Sequence, residues 1–142
     1  EGSGIEIHEQ GRADVIRNTL LALRNFVRRA VRCGKIFLVT GYTDMRKSID
    51  GLMAIVRDTY ELDPYSNSLF LFCGRRCDRI KALHFEKDGF CLYYKRLDNG
   101  RFQWPRDSSE VRNLTRQEYR WLLEGLSIDQ PKAIRPARKK DF

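Results

Sequence analysis

Between Leu69 and Trp104 the chain alternates short apolar runs with tight turns, and this rhythm constrains the fold more than anything else in it. Leu69-Phe70-Leu71-Phe72-Cys73 is a first run, followed by a positive turn over Gly74 to Asp78. Ile80 to Phe85 is a second, closed by Lys87-Asp88-Gly89. Phe90 to Lys95 is a third, closed by Asp98-Asn99-Gly100, and Asn-Gly is a strong hairpin signal. Arg101 to Trp104 is a fourth, ended by Pro105. Runs this short are too brief for helices and spaced too closely for crossover connections. They predict an antiparallel meander.

Two helical patterns flank it. Lys35 to Thr40 holds an apolar strand, Ile36-Phe37-Leu38-Val39, and a polar turn follows over Gly41 to Lys47. Ile49, Leu52, Met53 and Val56 then repeat at helical spacing to about Tyr60, with Asp44 or Ser48 placed to cap the N-terminus. Asp107 to Asn113 reads as a linker. Thr115-Arg116-Gln117-Glu118 has the form of a capping box, and Tyr119, Leu122, Leu123 and Leu126 form the stripe of the helix it opens. The fold expected is α+β, a mostly antiparallel sheet of about five strands packed by two helices. Ahead of it, Ile16, Leu20, Leu23, Val27, Ala30 and Val31 form one face of a basic amphipathic helix flanked by Arg17, Arg24 and Arg28. The division expected is an N-terminal extension over 1–34, one domain over 35–130 and a basic, disordered tail over 131–142.

Charge narrows the partners. The 142 residues carry a formal net charge of +8, so polyanions are favoured and nucleic acid comes first. No run approaches the length of a membrane span and nothing resembles a signal peptide, so a cytoplasmic protein with reduced thiols is expected. The basic residues cluster. Arg75, Arg76, Arg79 and Lys81 surround one turn, Lys95 and Arg96 end a strand, and Arg101 begins the next. Arg46 and Lys47 sit where a helix begins, and Arg135, Arg138, Lys139 and Lys140 line the tail. Guanidinium forks suit phosphate because they donate two hydrogen bonds and stay charged. Alternate turns of a meander lie at opposite ends, so these charges are expected to form one patch or two. Tyr93, Tyr94, Phe102 and Trp104 interleave with them, as core rings or as stacking surfaces for unpaired bases.

Other chemistries are weaker. Cys73 and Cys77, with His84 and Cys91, are a conceivable zinc set, though the second half lacks a close pair and no metal or other cofactor is expected. Asp44 and Asp50 would need a third acid, such as Asp78, Glu86 or Asp88, to make a metal-dependent nuclease. No triad context and no phosphate-binding glycine loop is present.

The motifs TDMRKSIDGL, GRRCDRIK, DGFCLYYKRL and GRFQWP, in this order over about Lys35 to Arg135, resemble the accessory protein encoded by the second open reading frame of insertion-sequence family sixty-six (IS66) transposons. That resemblance implies a bacterial helper of transposition working beside a separate transposase. It implies no catalytic residue in this chain. The function expected is a non-catalytic accessory factor that binds DNA, the partner transposase, or both. The alternative is an interaction module without DNA contact, with self-association through the N-terminal helix.

Overall fold

The computed structural model describes residues 33–107 and 110–137. The proposed N-terminal helix and the tail residues Arg138, Lys139 and Lys140 lie outside them.

The chain opens with β1 (Lys35–Val39) and, after a polar turn, α1 (Ile49–Ala54), which runs on into a π-helical turn over Ile55–Thr59. β2 (Ser68–Cys73), β3 (Arg79–Glu86) and β4 (Gly89–Arg96) follow, then β5 (Val111–Leu114) and α2 (Arg116–Leu123). One five-stranded sheet results, in the order β4-β3-β2-β1-β5. The α+β class, the strand number and the mostly antiparallel pairing all hold.

Two features differ from the pattern read along the chain. First, β1 and β2 pair in parallel, Ile36 beside Leu69 and Leu38 beside Leu71, because the helical segment between them supplies a crossover. Only β2, β3 and β4 form a meander. Second, the fifth strand is not Arg101 to Trp104. The Gly100 turn, with φ of 87°, carries that segment across one face of the sheet rather than along the edge of β4. Phe102 and Trp104 are both buried there, so alternating burial mimics a strand without a ladder. The true fifth strand lies in the expected linker, where Val111 to Leu114 pair antiparallel with Val39 to Ile36. It escapes notice because it is short and half polar.

The sheet is covered on both faces. On one, Leu52 and Val56 pack on Val39, Phe70, Phe72 and Leu83. On the other, Tyr119, Leu122 and Leu123 of α2, with Phe102, Trp104 and Ile128, pack on Ile36, Leu38, Leu69, Leu71, Ile80 and Ala82. All six positions of β2 are buried, as a strand covered on both sides requires.

The helix ends differ in quality. Ser48 stands at the α1 N-cap without a side-chain cap bond, and Asp44 accepts from Arg46 instead. Thr115 Oγ1 accepts from the Glu118 amide at 3.1 Å while Glu118 Oε1 accepts from the Thr115 amide at 2.9 Å, a complete capping box. Gly125, with φ of 83°, closes α2: the Leu126 amide returns to the Trp121 carbonyl and the Gly125 amide to Leu122. That reversal turns Leu126 outward, 46% exposed, and Ile128 takes the buried place expected of it. Thr115→Ala is expected to cost about 1 kcal/mol by chemical denaturation. No measurable loss would mean that the box adds nothing to packing.

Candidate nucleic-acid interface

The parallel pairing of β1 and β2 decides what the basic residues become. Strands running the same way end at the same edge of the sheet. The turn after β1, which carries Arg46 and Lys47, therefore meets the turn after β2, which carries Arg75 and Arg76. The Thr43 amide donates to the Cys73 carbonyl at 2.8 Å and joins the two turns. Gly74 makes the approach possible, because a Cβ there would lie 2.7 Å from Met45 Cγ. The β2–β3 turn is held by Gly74 amide to Arg79 carbonyl at 3.2 Å and Cys77 amide to Gly74 carbonyl at 3.0 Å. Cys77 takes a left-handed φ of 57° in it.

The same end gathers more. β4 runs antiparallel to β3, so Arg96 at its close lies directly opposite Arg79. The Leu97 amide donates to the Asp78 carbonyl at 2.7 Å. Hydrogen-bonded pairs in an antiparallel ladder alternate, so Ile80 and Lys95 form the next such pair and Arg79 and Arg96 a non-hydrogen-bonded one. Side chains of non-hydrogen-bonded pairs approach most closely, and like charges directly opposite are destabilising. Arg79 Nε is buried with no hydrogen-bond partner among the described residues, and Asp78 Oδ1 stands 3.9 Å from it. Two arginines are thus set opposite each other in the ladder, with the Asp78 carboxylate near one of them. A cavity of about 430 Å³ opens beside them, lined by Asp44, Gly74, Arg75, Arg76, Asp78 and Arg79, with Thr43 and Met45.

Not every predicted basic residue joins this group. Lys81 Nζ donates to the Lys47 carbonyl at 2.7 Å and lies 5.6 Å from the Tyr94 ring, so it ties the start of α1 to the sheet while remaining at the rim. Lys95 points to the opposite face, 6.0 Å from the Phe102 ring, and burial lowers its pKa. Arg101 is exposed at the same end but on that second face, in a cavity of about 540 Å³ shared with Gln103, Arg106, Asp107 and Asp129. Arg135 is exposed beyond α2. Arg46 is held by Asp44, whose carboxylate accepts from the Arg46 amide at 2.9 Å, from Nη2 at 2.9 Å and from Nε at 3.0 and 3.2 Å. The hydrogen bonds from Arg46 hold the Asp44 carboxyl down to about 2.

Of the rings, Phe102 and Trp104 are core, and Tyr93 is half-buried with its hydroxyl donating to Glu86 at 3.1 Å. Tyr94, 49% exposed, lies on the basic face beside Lys81, and Tyr42, 43% exposed, stands in the first turn. Tyr42 and Arg106 had no part in the sequence-based site. Neither belongs to a charge run, and only the fold brings them to this end.

The four weak zinc candidates separate into pairs. Cys73 and Cys77 lie at the basic end, while His84 and Cys91 pair across β3 and β4 several residues away. Burial raises the Cys73 thiol pKa and keeps it protonated. His84 Nε2 lies 3.2 Å from Asn67 Oδ1, a structural contact. The acids separate too. Asp44 and Asp78 share the cavity, Asp50 is in the first turn of α1, and Glu86 and Asp88 are at the far end of β3. Among the described residues no three His, Cys, Asp or Glu side chains converge to hold a metal ion.

The family described as IS66 Orf2-like protein matches residues 34–133. The uncharacterized protein y4hO of Sinorhizobium fredii is 33% identical over 97 residues, covering 68% of this chain and 84% of that protein. The uncharacterized protein y4jC of the same organism is 30% identical over 92 residues, covering 65% and 79%. No solved structure matches the chain. The family match spans both turns of the basic end and every element of the sheet, and the chain belongs to the IS66 Orf2-like family of transposition-associated accessory proteins.

Proposed function

We propose that this accessory protein works without catalysis of its own and binds DNA through the phosphate backbone at the basic end of the sheet. Arg75, Arg76, Arg79 and Arg96 form the centre, with Lys47, Lys81 and Arg46 on one flank and Arg101 on the other. The tail residues Arg135, Arg138, Lys139 and Lys140 extend the contact. The observation that carries this reading is the Arg79–Arg96 pair, two like charges opposite each other in the ladder, with Arg79 Nε buried and without a hydrogen-bond partner among the described residues. An anion between them removes the repulsion and supplies the missing acceptor, and a phosphate offers both charge and geometry. Tyr94 stands where an unpaired base would stack. A DNA partner also fits a cytoplasmic protein; no helix among the described residues is long and apolar enough to cross a membrane.

Contacts of this kind release counterions, so affinity depends steeply on salt. With six to ten phosphate contacts, binding to a duplex is expected to weaken by about 10³ to 10⁵ between 50 and 200 mM salt, read by fluorescence anisotropy. A protein that ignores both element ends and random duplex at 50 mM salt would sink this reading. It would favour a module that docks on the partner transposase without touching DNA.

A further inference from the structure

The two edges of the sheet are built differently. β5 is four residues long and leads at once into α2, which leaves little backbone to pair with. β4 is eight residues, in unbroken register with β3 from Gly89 to Arg96, and among the described residues no strand pairs with its outer side. It carries no proline and no bulge, and its charges, Lys95 and Arg96, sit only at its end. Long regular edges are ordinarily interrupted or covered, because their free amides and carbonyls invite another strand.

The parity of the ladder says which groups are free. The Leu97 to Asp78 bond extends a hydrogen-bonded set in which Lys95, Tyr93, Cys91 and Gly89 face β3. Phe90, Leu92, Tyr94 and Arg96 therefore present their amides and carbonyls to the open side. We infer that β4 pairs antiparallel with β4 of a second copy of this chain, about a two-fold axis through Leu92, joining two sheets into one.

Register selects this partner and this axis. With Leu92 opposite its own copy, Phe90 faces Tyr94 and Asp88 faces Arg96, twice each by symmetry. On the other face, Cys91 meets Tyr93 and Gly89 meets Lys95. Within the strand itself, Gly89 to Arg96, no like charges oppose one another. A shift by one ladder step in one direction sets Lys87 against Lys95, and in the other it sets Asp88 against Asp98. Opposite charges across strands stabilise, so the Asp88–Arg96 pair, made twice by the symmetry, favours this register. The axis also points the two basic ends in opposite directions, about 30 Å apart along the strands, which keeps the largest positive charges of the two copies separate.

Charge exchange on the full chain tests this by sedimentation equilibrium. The native protein is expected to dimerise. Asp88→Arg alone and Arg96→Asp alone each place like charges opposite one another, and each is expected to weaken the dimer by about tenfold or more. Mixing the two variants restores both pairs, so the mixture is expected to form a heterodimer tighter than either variant by itself. Both side chains are exposed, and the circular dichroism of each variant confirms its fold. A native chain that stays monomeric over the accessible concentrations overturns the proposal. So does a dimer that neither variant weakens, which would place the interface elsewhere, residues 1–32 being the first segment to remove.

Discussion

Trp104→Ala is expected to lower the unfolding free energy by about 3–5 kcal/mol, the largest loss foreseen for one substitution in this chain. The ring is 5% exposed and fills the layer between α2 and the sheet. Its Nε1 donates to the Val39 carbonyl at 2.9 Å, at the end of β1. Removal therefore opens a cavity and loses a buried hydrogen bond, two costs that add. Nearby contacts fail with it. The Gly41 amide donates to the Pro105 carbonyl at 3.0 Å, and Thr40 exchanges hydrogen bonds with Glu110. Trp104→Phe keeps most of the volume and loses only the hydrogen bond, so about 1–3 kcal/mol is expected of it. Guanidinium denaturation of both variants separates the two costs. A Trp104→Ala protein within about 1 kcal/mol of the native one would show that the segment rests loosely on the sheet.

The combined substitution Arg75→Ala, Arg76→Ala, Arg79→Ala is expected to weaken DNA binding on the order of 100-fold near 100 mM salt. The sharper readout is the salt dependence. Each phosphate contact contributes about 0.9 to the slope of log affinity against log salt, so losing three lowers the slope by about 2.7. Arg57 is the control. It is exposed and hydrogen-bonds Asp58 at 2.9 Å, on the turn that follows α1, away from the cavity. Arg57→Ala is expected to leave affinity within about twofold, as a surface charge outside the contact should. The three arginines are not core, so thermal unfolding is expected to stay near the native value. A variant that keeps the native slope would remove the basic end from the interface.

Several elements were legible along the chain for identifiable reasons. β2, β3 and β4 show because apolar runs and hairpin turns are local signals. The start of α2 shows because a capping box is written in four consecutive residues, Thr115 to Glu118. The α1 stripe shows in Leu52 and Val56, although Ser48 closes no cap bond. The error at Arg101 to Trp104 has an equally plain cause. An extended segment with Phe102 and Trp104 buried two residues apart has the period of a strand, whether or not a neighbour is there to pair with it. Val111 to Leu114 makes the opposite case: a strand supplied by its neighbour β1 rather than by its own residues.

The candidate site divides in the same way. The residues themselves announced the basic character of the protein and the arginines that carry it. Charge and donor geometry belong to each side chain wherever it lies. The family motifs were equally readable, because they are strings. Whether the charges form one patch was decided by tertiary structure alone. It depends on the parallel pairing of β1 with β2, which brings Arg46 and Lys47 to the same end as Arg75 and Arg76. It depends also on the register that sets Arg79 against Arg96 and turns Lys95 to the other face. Strand direction and register are properties of pairs of segments far apart in the chain, and a one-residue slip would send each of these side chains to the opposite side of the sheet. No local stretch contains that information.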